Sequence, residues 1–196
     1  MEPEKNSQVP EGRRLQITRA ALDVLGREGS KGLTHRAVDA AAGVPAGTSS
    51  NFFRTRSALL GAALNRHVEL DTPPSSGLAE IEDLKLDDDQ AKQLILAAID
   101  HLLRPEARHL VAARYELVLE STRRHELKDE FAPAREKFIG LSTALLKARG
   151  CETPRPHAAQ LTATIDGILL DQLLDAPGAL TQKEIAELVE RQLRTC

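Results

Sequence analysis

Thr48, Ser49, Ser50 and Asn51 form a run of four polar side chains, with Arg36, Arg54 and Arg56 close by in the sequence. Hydroxyls can bond base edges or phosphate oxygens, and an asparagine amide can bind adenine N6 and N7 together. Guanidinium groups grip phosphates, which positions a protein on a duplex without reading its sequence. Residues 46 to 53 are small and polar until Phe52 and Phe53, so a helix there can approach another surface closely. The chemistry on offer is recognition of double-stranded DNA. Its candidate contacts are Thr34, Arg36, Pro45, Ala46, Gly47, Thr48, Ser49, Ser50, Asn51, Phe52, Arg54 and Arg56. Phe53 reads as core.

These residues need a scaffold, and the flanking sequence supplies a helix-turn-helix. Thr34 is an N-cap whose hydroxyl can accept from an orphan backbone N–H, and it could also touch phosphate. Ala37, Val38, Ala41 and Ala42 follow at helical spacing. Gly43 tolerates the positive φ that a sharp stop requires. Val44 can plug the corner, and Pro45 can open the next helix. Before this unit, a helix is expected over about 11–27, with Ile17, Ala21, Val24 and Leu25 inward and Leu15 and Leu22 widening the stripe. A fourth helix should run from about Thr55 to Glu69.

The segment 72–77, Thr-Pro-Pro-Ser-Ser-Gly, is the clearest break in the chain. We therefore expect a disordered tail over 1–10, a DNA-binding domain over 11–70 and a second helical domain over 71–196. In the latter, helices should occupy about 88–104, a stretch to about 122, 127–149 and 156–175. A final helix opens with the Thr181/Glu184 capping box. Its polar candidates for a ligand pocket are His101, Arg114, Tyr115 and Asp166, set among aliphatic residues. Arg114, Glu116 and Glu120 could equally lie on solvated faces or pair with each other.

The bulk composition fits this all-α reading. Hydrophobic residues make up 41% of the chain and charged residues 28%, as in ordinary globular proteins. The net charge of −3 is unevenly spread: residues 10–70 carry nine basic and five acidic side chains, whereas 71–196 carry 16 and 22. A basic front on an acidic body suits a chain of which one part faces phosphate. No stretch approaches a membrane span, and the N-terminus has no apolar region typical of a secretory signal. Cys151 and Cys196 make a poor disulfide framework, so a reduced, cytoplasmic protein is expected, nucleoid-associated when bound to DNA. The six histidines show no metal-ligand spacing and the cysteines stand apart, so neither metal nor cofactor is expected. Nucleophile elbow, phosphate loop and dinucleotide fingerprint are all missing from the sequence, which argues against an enzyme.

The layout of a helix, a helix-turn-helix, a fourth helix and a larger helical body resembles that of TetR-like (tetracycline repressor-like) transcriptional regulators. Thr34, Ala42-Gly43-Val44, Gly47-Thr48, Phe53, Thr55, Arg56 and Leu59 match that family's signature over about residues 11–70. Asp166-Gly167 resembles the Asp-Gly common in its penultimate helix. Ser49, Ser50, Asn51 and Phe52 depart from the usual pattern, in which a tyrosine hydroxyl binds phosphate near position 52; the wording resembles an actinobacterial subtype. The resemblance implies a homodimer on a pseudo-palindromic operator, released by a small-molecule effector, with Ile168, Leu169, Leu188 and Val189 packing against their symmetry mates. It also implies that movement of the fourth helix beside the 72–77 break resets the recognition helices. The rival reading is a helical ligand-binding or interaction protein with decayed DNA contacts.

Overall fold

The computed structural model describes residues 9–71 and 80–196. Among them there are nine helices and no strand: α1 (Val9–Gly32), α2 (His35–Ala41), α3 (Thr48–Phe52), α4 (Arg56–Asp71), α5 (Asp88–Leu103), α6 (Arg108–Arg123), α7 (His125–Ala148), α8 (Pro154–Leu174) and α9 (Gln182–Leu193). A further helical turn covers 80–82. The 72–77 break lies outside the described residues, as does most of the expected N-terminal tail.

Local chemistry explains most boundaries. The Thr34 hydroxyl accepts from Ala37 N–H at 3.1 Å and starts α2. Asp87 and Gln90 close a capping box at α5, and Thr181 and Glu184 close another at α9, each satisfying donors that a helix start otherwise leaves orphaned. Gly43 takes φ 62° after α2, as its place in the turn demands. Helix α1 runs past the expected stop at Arg27, but Gly29 at φ 68° kinks its last turn.

The backbone divides into two compact units. One takes the described residues up to His67 together with Ala112–Phe131; the other takes Val68–Val111 and Ala132–Cys196. The return of 112–131 to the first unit was not expected, because sequence order alone does not show that α6 and α7 serve both units.

In the first unit Ile17, Ala21, Leu22, Val24 and Leu25 of α1 are buried, along with Val38, Phe53, Leu59, Leu60 and Leu64. Each such leucine or isoleucine contributes about 1.5–3 kcal/mol on full burial. Leu15 is the exception on α1: it is 44% exposed, so it does not widen the core stripe. In the second unit Ile95, Ile99, Leu146, Leu161, Ile168, Leu169, Ile185, Val189 and Leu193 form the core. Ile168, Leu169 and Val189 therefore face the interior of their own unit. They cannot also pack against a second copy, which corrects the interface expected from sequence. Other apolar residues of α8, Leu170 and Leu174, are exposed.

Candidate nucleic-acid interface

Asp39 organises the helix-turn-helix. Its carboxylate accepts from Gly47 N–H and from Ser49 N–H, both at 2.7 Å, and so binds the first turn of α3 to α2. The side chain is only 3% exposed. Burial by itself would raise its pKa, but the bonds from Ser49 and Gly47, with His35 nearby, outweigh that and hold it below the usual carboxylate range. Gly47 sits at φ 89°, a conformation that favours glycine. The His35 ring donates through Nε2 to the Phe53 carbonyl at 2.6 Å, so α2 also holds the end of α3. Gln16 of α1 donates to the Ala42 carbonyl at 2.7 Å and fixes the turn from behind. Arg14 lies over the buried Phe53 ring at 4.8 Å.

The candidate contact residues divide on this frame. Thr34, Arg36, Pro45, Ala46, Gly47, Asn51 and Arg54 are exposed, and Thr48, Ser50 and Phe52 are half-buried. Among the described residues the Asn51 amide and the Arg36 and Arg54 guanidinium groups make no hydrogen bond or ion pair. The hydroxyls of Thr48 and Ser50 donate to the carbonyls of Pro45 (2.5 Å) and Gly47 (2.8 Å), which leaves their oxygens with acceptor capacity.

Two candidates sit elsewhere. Ser49 is fully buried, and its hydroxyl donates to the His35 carbonyl at 3.1 Å. A side chain closed off in this way cannot meet a base edge, so Ser49 positions α3. Arg56 turns inward, donating to the carbonyls of Leu33 and Ser30 and to the Ser30 hydroxyl at 2.8 Å. The Ser30 hydroxyl donates to Glu120 at 2.5 Å and its N–H to Glu116 at 3.1 Å. The bond from Ser30, with Arg124 adding to it, keeps the Glu120 carboxyl below its ordinary pKa despite burial. Glu116 and Glu120 thus grip the kinked last turn of α1, just ahead of α2. Neither a solvated face nor mutual pairing describes them. Sequence reasoning missed Asp39 altogether, because its partners are backbone groups eight and ten residues away.

The expected ligand residues fall in both units. Arg114 and Tyr115 belong to the first unit, and His101 and Asp166 to the second. His101 is exposed, and Asp166 pairs with Arg135 at 3.8 Å.

The model of the tetracyclin repressor-like C-terminal domain matches residues 86–195. This chain belongs to the TetR family. Several solved structures share its fold along nearly the whole length. The multidrug binding protein EbrR, solved with ethidium, is 32% identical at a TM-score of 0.68, covering 93% of this chain and 98% of EbrR. A TetR-family member from Streptomyces coelicolor A3 is 31% identical at 0.67, covering 93% and 98%. A transcriptional regulator from Rhodococcus is 20% identical at 0.71, covering 93% and 94%. No curated protein matches the sequence. This TetR-family chain is all-α, and among its described residues no helix is long and apolar enough to cross a membrane.

Proposed function

We propose that this chain is a DNA-binding repressor which grips a pseudo-palindromic operator as a homodimer and lets go when a small molecule binds. The observation carrying this reading is the Asp39 clamp, which holds α3 so that Asn51 and Arg54, with Arg36 on α2, stand exposed without internal partners. Asn51 reads a base pair, and Arg36 and Arg54 hold phosphates, with Thr34, Thr48 and Ser50 as shorter-range contacts. Repeating the face across a two-fold axis matches a pair of half-sites.

Release requires an effector that binds better to the DNA-incompetent state. Helix α6 is the element suited to carry the change. It begins in the second unit at Arg108, and its Glu116 and Glu120 hold Ser30, just ahead of α2. A shift of α6 therefore acts on the turn that leads into the helix-turn-helix. EbrR binds ethidium, so lipophilic cations are the first effectors to try here.

A gel shift with DNA from upstream of the protein's own gene tests this function. Asn51→Ala should relax selectivity at one base pair by about 1–3 kcal/mol. Binding that ignores Asn51→Ala, Arg36→Ala and Arg54→Ala alike would overturn the assignment of α3. In wild-type complexes ethidium should release the DNA, and Glu120→Ala should blunt that response.

A further inference from the structure

Cys151 and Cys196 are disulfide-bonded, with Cα atoms 5.2 Å apart across 45 residues of sequence. This corrects the expectation of two isolated cysteines. Gly150 at φ 88° and the bond from Cys151 N–H to the Leu146 carbonyl fold the chain back after α7, which buries Cys151. Cys196 lies just past α9, its N–H bonded to the Leu193 carbonyl. A third donor joins them: Nδ1 of His157, in the first turn of α8, is 3.3 Å from the sulfur of Cys151 and 3.1 Å from that of Cys196. All three donor atoms lie within 4.8 Å of one another.

A disulfide needs only its two sulfurs. An imidazole nitrogen facing both sulfurs is what a chelate needs. From this geometry we infer that, in the reduced protein, Cys151, Cys196 and His157 bind a thiophilic d10 cation, zinc(II) being the best fit. Zinc–sulfur bonds of about 2.3 Å and zinc–nitrogen bonds of about 2.0–2.1 Å place tetrahedral donors about 3.5 Å apart or slightly more. Both nitrogen–sulfur distances are already close to that, so only the sulfurs must separate. Two thiolates neutralise the divalent cation, which suits a half-buried position. Half-exposed His157 and exposed Cys196 leave the fourth position open to water.

The steps balance. A dithiol reductant delivers two electrons and two protons to the disulfide, giving two thiols. The cation then displaces both S–H protons to solvent, so metal binding and the disulfide exclude one another. The cation would tie the start of α8 to the chain after α9, as the disulfide does.

The test uses the full chain, reduced with a phosphine, freed of reductant without air and titrated with cobalt(II). One equivalent should produce thiolate-to-cobalt charge transfer and the strong visible bands of tetrahedral cobalt, and one equivalent of zinc(II) should bleach them. Cys196→Ser, at an exposed position, should lose most of the charge transfer while keeping the helical circular dichroism of the wild type. Zinc affinity measured against a chelator should fall in His157→Ala by more than the roughly 10–100-fold that loss of an outer partner costs. The disulfide form should take up no metal. Reduced protein without charge transfer, or His157→Ala with an unchanged spectrum and affinity, overturns the proposal.

Discussion

Arg56 donates to both the carbonyl and the hydroxyl of Ser30, and so closes the helix-turn-helix from the inside rather than facing outward. Its removal takes the partner from the Leu33 carbonyl and leaves the Ser30 carbonyl with only the Leu33 N–H. We expect Arg56→Ala to cost about 1–3 kcal/mol of stability. Arg36→Ala and Arg54→Ala should leave the melting temperature in place, weaken binding to every DNA sequence and lower the salt slope by about 0.9 for each phosphate no longer neutralised. Thermal melts beside binding isotherms at several salt concentrations separate the two classes. An Arg56→Ala protein that melts like wild type but loses salt dependence would restore its phosphate role.

Asp39 gives a second separation. Its two charge-assisted bonds hold the start of α3, and Asp39→Ala should destabilise the fold by about 2–3 kcal/mol and abolish operator binding. Asp39→Asn keeps an acceptor oxygen without the charge and should fall between. The carboxyl is held below its ordinary value of 3.8, so its contribution is complete above that pH and is lost as the pH falls through the lowered value. Acid unfolding curves of wild type and Asp39→Asn should therefore converge only once the pH has fallen below the ordinary carboxylate value.

What could be read from the sequence was local. The caps at Thr34 and Thr181, the turn at Gly43 and the helical stripes apart from Leu15 each depend on residues a few positions apart, and each formed as expected. The failures at the candidate sites involve partners distant in sequence. Ser49 and Arg56 have ordinary contact chemistry, but His35 and Ser30 claim them. Cys151 and Cys196 looked isolated because nothing in their spacing shows that α7 and α9 end side by side. Ile168, Leu169 and Val189 had the right apolar character for an interface. Hydrophobicity alone does not say which of two faces a helix turns inward.

His67 should make stability sensitive to mild acid. It is buried on α4, and burial, with the Arg114 charge adding to it, lowers its pKa from 6.5 to about 3. The unfolded chain thus takes up a proton near pH 6.5 that the folded chain refuses until about pH 3. Stability is full above 6.5 and falls by about 1.4 kcal/mol per pH unit below it. Urea unfolding should show a loss of about 2 kcal/mol between pH 7 and pH 5, a window in which Asp39 remains ionised in both states. His67→Leu should flatten that slope. An unchanged slope would mean that His67 is protonated inside the fold.

Helix α8 carries the surface best suited to a second copy. Ala163, Gly167, Leu170 and Leu174 are exposed at helical spacing along one face, with Leu170 43% and Leu174 68% accessible. The two small residues allow close helix approach, and the two leucines supply the apolar area that would reward it. Their neighbours Ile168 and Leu169 are committed to the core. Leu170→Glu combined with Leu174→Glu should convert a dimer into a folded monomer, measured by light scattering and circular dichroism. That monomer should keep its weak, salt-dependent affinity for a single half-site but lose tight binding to the full operator, because only a two-fold pair engages both halves. Leu169→Ala should instead destabilise the protomer by about 2–5 kcal/mol, with any loss of dimer following from unfolding. A Leu170/Leu174 double variant that stays dimeric would move the interface off this face of α8.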